Sequence, residues 1–339
     1  LRGLVPYRDH TNHHFIGYII PYVMAAKVIG LSLHLVTVVQ VVSQLATGAG
    51  LYLCARRFCG PAAAVIAAAL VVTAREPWVL GLQPFYQTNV LMVWCWYFAL
   101  RIAGGTDERS RQWCVGAGLL CGLAFISDQR TLLFGLAPLV AALGTGRQTG
   151  REVAVRLSLL AAAFVVPIGG SIGYLAAHGA WESFVEQTLI FPARFRGGSG
   201  GLLDGLMLGA WIHRYLAVQT PVLFLLGLAG AAHVARRIGE PGPRVVAAAM
   251  LSVLPIGFLG GRDYDYYTIP HLALLGLLAS FALGAATPRI RRMLIAIAGV
   301  SIVFTILTAV RLDMNLKQDP PPDVAQEFVT AARPLIGPE

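Results

Sequence analysis

Long apolar runs separated by short polar connections dominate this chain. The pattern predicts about ten membrane-spanning helices, several of them short. They fall at 31–54, 61–75, 89–103, 113–127, 131–145, 157–177, 217–235, 245–260, 267–286 and 293–311. The run at 13–30 is interrupted by Pro21 and Lys27 and is more typical of an interfacial helix. The expected fold class is an all-α, polytopic transmembrane helical bundle.

The composition supports the bundle. Hydrophobic residues make up 56% of the 339 residues, charged residues 13%, and the mean hydropathy is +0.67. Soluble proteins carry roughly 25% charged residues. A soluble core could not hide this much apolar surface from water, so the composition excludes an ordinary soluble protein.

The basic residues are distributed unevenly between the two sides of the predicted bundle. Five connections carry fourteen arginines and four acids, at 55–60, 101–112, 146–156, 236–244 and 287–292. The other side holds twelve basic and thirteen acidic residues. The positive-inside rule places the arginine-rich connections in the cytoplasm. This bias accounts for the net charge of +9 without a nucleic-acid partner.

Metal-ligand spacing is weak throughout the chain. The five cysteines form no CxxC pair, and most lie within apolar runs, which is typical of buried small side chains. The histidines His10, His13 and His14 have no specific ligand pattern. We therefore predict no metal site and no certain cofactor, and we leave a divalent cation open.

The N-terminal segment is one of several polar stretches on the predicted non-cytoplasmic side. Tyr7, Arg8, Asp9, His13 and His14 precede the interfacial helix. Such a segment is either a solvated loop or an active-site loop in which Asp9 acts as general base or metal ligand.

Two further stretches combine arginines with neighbouring polar groups. Asp128 and Arg130 stand at the tip of a hairpin at 127–130, where they are either a structural ion pair or, through Arg130, a phosphate ligand. A short amphipathic helix at 181–186 is followed by Arg194 and Arg196 in a glycine-rich segment. The latter is either a surface helix with anchoring aromatics or a flap whose arginines meet an anionic head group.

Two stretches lead into predicted spans. Arg262, Asp263, Asp265 and Tyr267 stand among tyrosines that an aromatic belt would explain, although the charges suggest a substrate site. The uncharged stretch that ends at Asn89 is typical of a loop with a hydrogen-bonding role.

In this order the stretches resemble the GT-C superfamily of membrane glycosyltransferases, in particular bacterial relatives of the protein O-mannosyltransferases and the aminoarabinose–lipid A transferase. The similarity lies in G-x-x-PYRD-x-x-x-H from Gly3, ARR-x-x-G at 55–60, DQR at 128–130, G-x-x-x-x-F at 179–184 and Y-x-x-P at 267–270. Each motif alone is weak, and the order and sidedness carry the resemblance over nearly the whole chain.

The resemblance implies a polyprenyl-phosphate-linked sugar as donor, a lipid, glycan or protein acceptor on the non-cytoplasmic face, and inversion at the anomeric carbon. The enzyme would be a hexosyl- or pentosyltransferase of the cell (inner) membrane. Donor-phosphate binding would fall to Arg130, Arg194, Arg196, Arg262 and His14. Substrate contacts would fall to Tyr7, Arg8, His13, Asn89, Asp128, Asp263, Asp265 and Tyr267, and proton removal to Asp9.

The chain departs from the family pattern at the acidic motifs. The principal acidic motif of relatives precedes PYRD, so we expect residues upstream of Leu1, and Asp9 is the nearest acid present. Gln87 and Asn89 stand where relatives often carry a second acid. We expect a membrane domain over 1–312, with 313–339 as the start of an outward C-terminal segment.

The alternative function is a transporter or lipid flippase. That class predicts charged residues in the middle of the spans and internal pseudo-symmetry. The spans here carry few such charges, and the polar groups cluster on one side. This arrangement favours an enzyme acting at the membrane surface.

Overall fold

The protein is described by a computed structural model that covers residues 5–9, 16–30, 33–74, 84–105, 108–144, 148–191, 202–259 and 268–318. Thirteen α-helices lie within these residues, and strands are absent from them. They are α1 (Ile20–Ile29), α2 (Leu33–Ala55), α3 (Pro61–Val72), α4 (Pro84–Ala103), α5 (Glu108–Phe125), α6 (Leu136–Leu143), α7 (Gly150–Ala177), α8 (Trp181–Val185), α9 (Leu202–Gln219), α10 (Pro221–Arg236), α11 (Pro241–Leu259), α12 (Thr268–Ala285) and α13 (Pro288–Gln318). The all-α class is confirmed.

Proline marks the start of several helices. Pro61, Pro221, Pro241 and Pro288 each occupy the first residue of a helix. The first turn leaves backbone N–H groups without helical partners, so a residue lacking that group costs nothing there. The apolar run and the proline together define where these helices begin.

Each predicted span corresponds to a helix, but fewer helices have the length and hydropathy of a full span. Four in the described part of the chain do, at Leu35–Ala55, Gly150–Ala177, Thr268–Ala285 and Pro288–Thr308. A fifth is counted if the pair Gly205–Gln219 and Pro221–Arg236, bent by 120°, is one span. The others are shorter or less apolar: α3, for example, has 12 residues and is about 18 Å long, against a hydrocarbon core of about 30 Å. By length and hydropathy, four or five helices in the described part of the chain thus qualify as full spans, against the ten that were predicted.

Two segments outside the predicted spans are helical. The expected interfacial segment is a 3₁₀ turn at Ile16–Ile19 followed by α1, which exposes Met24 and Val28. The region 178–216 contains α8, which corresponds to the predicted short helix at 181–186, followed by a π turn at Glu186–Ile190 and most of α9, which was not predicted. Helix α9 interrupts its apolar residues with His213 and Arg214, which hid it from a search for apolar runs.

The core surrounds α4 and α12, while α7 and α13 are largely unburied. Met92, Val93 and Trp96 of α4 are fully buried, and 83% of the residues in the apolar stretch of α12 are buried. The same share is 11% for α7 and 6% for α13, although both are strongly apolar. An apolar helix surface left uncovered within a bundle is what contact with lipid requires.

Helices α5 and α7 approach closely through glycines. A Cβ atom at Gly118 would collide with the backbone oxygen of Leu160, and one at Gly122 with the backbone oxygen of Phe164. Pro167 of α7 also packs against Gly122. Small residues four positions apart are a general means of bringing two membrane helices together.

We expect the substitution Gly122→Ala to destabilise the protein, because the added methyl group meets backbone that cannot rotate away. Overpacking of this kind typically costs about 1–3 kcal/mol, which exceeds the helix propensity gained from alanine. Thermal unfolding in detergent measures the effect. Gly169→Ala is the matched control, since Gly169 lies in the partner helix α7 and a Cβ there has open space. Equal stability of the two variants would contradict the prediction.

The arginine-rich connections meet at one end of the bundle. Arg111 pairs with Glu152 at 2.7 Å, and the buried Arg156 binds Glu152 at 3.0 Å and the carbonyl of Gly105 at 3.3 Å. A cavity at this end joins the connections after α2, α4 and α10. We call this end of the bundle the arginine-rich face and the opposite end the site face.

Candidate functional site

The N-terminal segment forms a tight turn on the site face. The amide of Val5 donates to Asp9 Oδ2 at 2.6 Å, and the amide of Asp9 donates to the carbonyl of Val5 at 3.0 Å. Arg8 binds both carboxylate oxygens of Asp9 at 2.8 Å. This hydrogen bonding to Asp9 raises the pKa of Arg8. The turn therefore holds the carboxylate of Asp9 against the guanidinium of Arg8.

Tyr7 fastens the turn to the corner between α7 and α8. It is 2% exposed, and its ring meets Phe184 edge-on with centroids 5.1 Å apart. Its carbonyl accepts a hydrogen bond from Gln187 at 2.9 Å, and Arg8 donates to the carbonyl of His178 at 3.2 Å. Burial and the nearby Tyr18 raise the pKa of Tyr7, so its hydroxyl remains protonated. The φ of 68° at Tyr7 is left-handed and is kept by these contacts.

Asp128 and Arg130 form an ion pair at the tip between α5 and α6. Asp128 caps a 3₁₀ helix at Gln129–Gly135 by accepting from the amide of Arg130 at 2.9 Å. The guanidinium of Arg130 donates through Nε and Nη2 to the same carboxylate and lies 4.8 Å from the centre of the Phe85 ring. The side chains are 1% and 11% exposed. The ion pair that the sequence suggested is present; phosphate binding by Arg130 stays a prediction.

Gly17 links the N-terminal segment to this tip. Its amide donates to the carbonyl of Ile126 at 2.6 Å. A Cβ at this position would lie 2.6 Å from that carbonyl oxygen and 2.7 Å from Oγ of Ser127. Phe125 packs against the cluster that contains Tyr7 and Phe184. The turn, the tip and the α7–α8 corner therefore form one continuous surface.

An apolar groove of about 270 Å³ opens beside the tip, between α1, α2, α4 and α5. Ile20, Val42 and Leu123 line it and are exposed on the outside of the bundle, while Ser127 and Gln87 supply polar groups. The groove thus joins the polar tip to the apolar surface of the protein. Its chemistry suits an isoprenoid or acyl chain with a polar head.

Polar side chains continue from the groove into the bundle. The buried Asn89 lines a cavity of about 20 Å³ with Gln44, Thr47 and Ile269, and within the described residues its Oδ1 has no hydrogen-bond partner. Ile269 follows the stretch that contains Tyr267. Asn89, predicted as a substrate contact, therefore carries an unused acceptor next to the beginning of α12.

Several predicted site residues cannot be placed. His13, His14, Arg194, Arg196, Arg262, Asp263, Asp265 and Tyr267 lie outside the described residues. No group of three His, Cys, Asp or Glu side chains within the described residues is arranged to hold a metal ion. The described part of the site therefore rests on Tyr7, Arg8, Asp9, Asp128 and Arg130.

Several polar partners in and around the site were not predicted from the sequence. Gln187, which accounts for one of them, donates to the carbonyl of Tyr7. Gln87, which belongs to the stretch predicted to have a hydrogen-bonding role, hydrogen-bonds Tyr22 of α1. Gln40 and Thr47 of α2 are buried, and Gln44 lies between them. Amides at positions 40 and 44 with a hydroxyl at 47 follow the i, i+4, i+7 spacing of one helix face. That stripe within an apolar run was the available signal.

The comparisons with known proteins agree with this architecture. The model of the dolichyl-phosphate-mannose-protein mannosyltransferase family matches residues 15–169. No curated protein sequence gives a significant match. The resemblance to GT-C membrane glycosyltransferases is confirmed by the family model and by the solved structures that share the fold.

The similar structures are distant in sequence. ArnT from Cupriavidus metallidurans bound to undecaprenyl phosphate shares 18% identity with a TM-score of 0.57, over 86% of this chain and 53% of that one. The archaeal oligosaccharyltransferase AglB from Archaeoglobus fulgidus, with an inhibitory peptide and a dolichol-phosphate, shares 14% identity with a TM-score of 0.55, over 87% of this chain and 47% of that one. The chain spans about half the length of these proteins, and likeness at this identity shows the fold.

Proposed function

We propose that this chain, whose fold is that of the GT-C membrane glycosyltransferases, moves a sugar from a polyprenyl-phosphate donor to an acceptor on the non-cytoplasmic face of the cell (inner) membrane. The observation that carries the proposal is the adjacency of three parts on the site face. A carboxylate turn at Asp9, a cationic tip at Arg130 and an apolar groove are joined through Gly17. A lipid-phosphate sugar needs all three kinds of group.

The groove and the tip divide the donor between them. The isoprenoid chain enters along Ile20, Val42 and Leu123, and the phosphate meets Arg130 at the polar end. Asp128 orients the guanidinium of Arg130, because it binds Nε and Nη2 of this planar group. The remaining N–H groups therefore point in a defined direction. Arg194, Arg196, Arg262 and His14 are proposed as further phosphate ligands, and the bound ArnT and AglB structures support a lipid phosphate in this fold.

The reaction is a direct displacement at the anomeric carbon. The acceptor oxygen attacks that carbon, the bond to the phosphate oxygen breaks, and the polyprenyl phosphate leaves with the electron pair. Arg130 stabilises the negative charge that develops on the leaving phosphate. Asp9 takes the proton of the acceptor. A single direct displacement inverts the configuration at the anomeric carbon.

The remaining predicted residues contact the sugar and the acceptor. Tyr7, Arg8 and Asp128 shape the described part of this surface, and the free acceptor atom of Asn89 binds a hydroxyl group. His13, Asp263, Asp265 and Tyr267 complete the set. The sugar is a hexose or a pentose, and the acceptor is a lipid, a glycan or a protein.

The test is donor-dependent transfer in reconstituted membranes with a panel of polyprenyl-phosphate sugars. We expect turnover with at least one donor, and we expect Asp9→Asn to lower it by about 10², the lower end of what a general base contributes. Full activity of Asp9→Asn would assign proton removal to another carboxylate. Movement of a labelled lipid across the bilayer without transfer or hydrolysis of any donor would replace the enzyme with a flippase.

A further inference from the structure

A second cavity opens on the arginine-rich face. It has a volume of about 430 Å³ and lies between the ends of α2, α4, α10 and α12 and the beginning of α11. Arg57, His233, Arg237 and Glu240 line it, together with Gly104. This volume exceeds what water alone would need, and the lining is more polar than a packed core.

The charges around this cavity are unbalanced. Arg237 binds Glu240 through two hydrogen bonds of 2.6 Å, so that pair is neutral. Arg57 pairs with no carboxylate within the described residues, and a Cβ at Gly104 would touch its Nη2. Partial burial and then the charge of Arg101 lower the pKa of Arg57. Arg57 and Arg101 repel each other, and no acid offsets this repulsion at Arg57 within the described residues. A bound anion would reduce it.

Apolar side chains also line the cavity. They include Leu100 and the rings of Phe58 and Phe281, which stack with their centres 4.0 Å apart. His233 lines the cavity too, with Nε2 3.4 Å from Nη1 of Arg237. A lining that combines cationic and apolar side chains matches a ligand with a phosphate group and an attached apolar part.

This cavity is separate from the donor site. Phe85, near the first residue of α4, contacts Arg130 on the site face, whereas Gly104 follows the last residue of the same helix. A rise of about 1.5 Å per residue places the two ends about 28 Å apart. One phosphate cannot serve both places.

We propose that the cavity on the arginine-rich face binds a phosphate ester with Arg57 as its principal ligand, and that the ester is carried by the head group of an anionic phospholipid or by a soluble molecule. The planar guanidinium of Arg57 binds the phosphate oxygens, and Phe58 and Phe281 contact the attached carbon atoms. The Arg237–Glu240 ion pair contributes to the charge of the lining.

Native mass spectrometry of the purified protein with phosphatidylglycerol and with phosphatidylcholine tests this site. We expect a preference for phosphatidylglycerol, and we expect Arg57→Gln to weaken its binding by about tenfold, the effect of losing one charge-assisted contact. Arg56→Gln is the matched control, because it removes the same charge one residue away. Arg56 donates to the hydroxyl of Tyr52 at 2.9 Å and does not line the cavity.

A second variant gives a change of opposite sign. Glu240→Gln removes the acid and releases Arg237, so we expect it to strengthen phosphate binding several-fold while Arg57→Gln weakens it. A general loss of packing could not produce a gain. This result decides the proposal even where Arg57→Gln fails to fold.

Inorganic phosphate distinguishes the two sources of the ester. Displacement of phosphatidylglycerol only by other anionic lipids assigns the site to a head group, and displacement by millimolar phosphate assigns it to a soluble ester. Either result supports the site. Equal binding by Arg57→Gln and Arg56→Gln, or no gain in Glu240→Gln, overturns it.

Discussion

Arg130→Gln is expected to lower kcat/KM for the lipid-linked donor by about 10²–10³, because removal of one preorganised donor to a developing charge typically costs this much. The substitution also leaves the buried carboxylate of Asp128 without its cation, so we expect a loss of about 3 kcal/mol in the free energy of unfolding. Transfer rates per folded molecule and thermal unfolding in detergent measure the two effects.

The double variant Arg130→Gln with Asp128→Asn separates catalysis from structure. It removes both charges, so the buried pair is replaced by neutral groups and stability recovers. Transfer should stay low, since the phosphate ligand is still missing. Recovery of transfer together with stability would show that Arg130 serves only the fold. Arg111→Gln, which opens an exposed ion pair on the opposite face, controls for the loss of an arginine.

Gly17→Val is expected to lower transfer by about 10² while the helices remain folded. Its Cβ would lie 2.6 Å from the carbonyl oxygen of Ile126 and 2.7 Å from Oγ of Ser127, so the N-terminal segment must move away from the tip. A displacement of about 1 Å between reacting groups can cost that much in rate. The transfer assay and the far-ultraviolet circular dichroism of the variant provide the measurement.

Gly135→Val is the matched control for Gly17→Val. Gly135 ends the 3₁₀ helix that carries Arg130, and a Cβ there meets nothing within 4 Å. The same change on the same face should therefore leave transfer nearly intact. Comparable losses in both variants would mean that the contact between Gly17 and Ile126 has no special role.

Hydropathy was sufficient to locate most of the helices, but it did not show which of them have the length of a full membrane span. Runs such as 157–177 and 267–286 correspond to α7 and α12, because apolar side chains continue for the length of the helix. Helix α3 shows the limit, since an apolar run cannot tell a membrane crossing from a short helix packed inside a bundle. Helix α9 was missed because its polar residues break the run.

The sequence allowed us to predict pairs of charged residues that are close along the chain, but not the contacts between distant parts of the chain. The combination of Asp128 and Arg130 at a tip suggested an ion pair or a ligand from two positions that are close in sequence. The contact between Tyr7 and Gln187 joins residues 180 positions apart and depends on how α7 and α8 meet. A local sequence pattern cannot show that two residues so far apart in the chain lie close together. The side-chain amide of Gln187 and the backbone carbonyl of Tyr7 also belong to no motif.

That long separation has a consequence for biogenesis. The turn at Tyr7 is made about 180 residues before its partners Phe184 and Gln187. At roughly 5–20 residues per second, the ribosome needs about 10–40 s to make them. Throughout that interval Tyr7 lacks its contacts with Phe184 and Gln187. The contacts of the turn therefore cannot form before α8 has been made, and a pause in translation before α8 would delay them further.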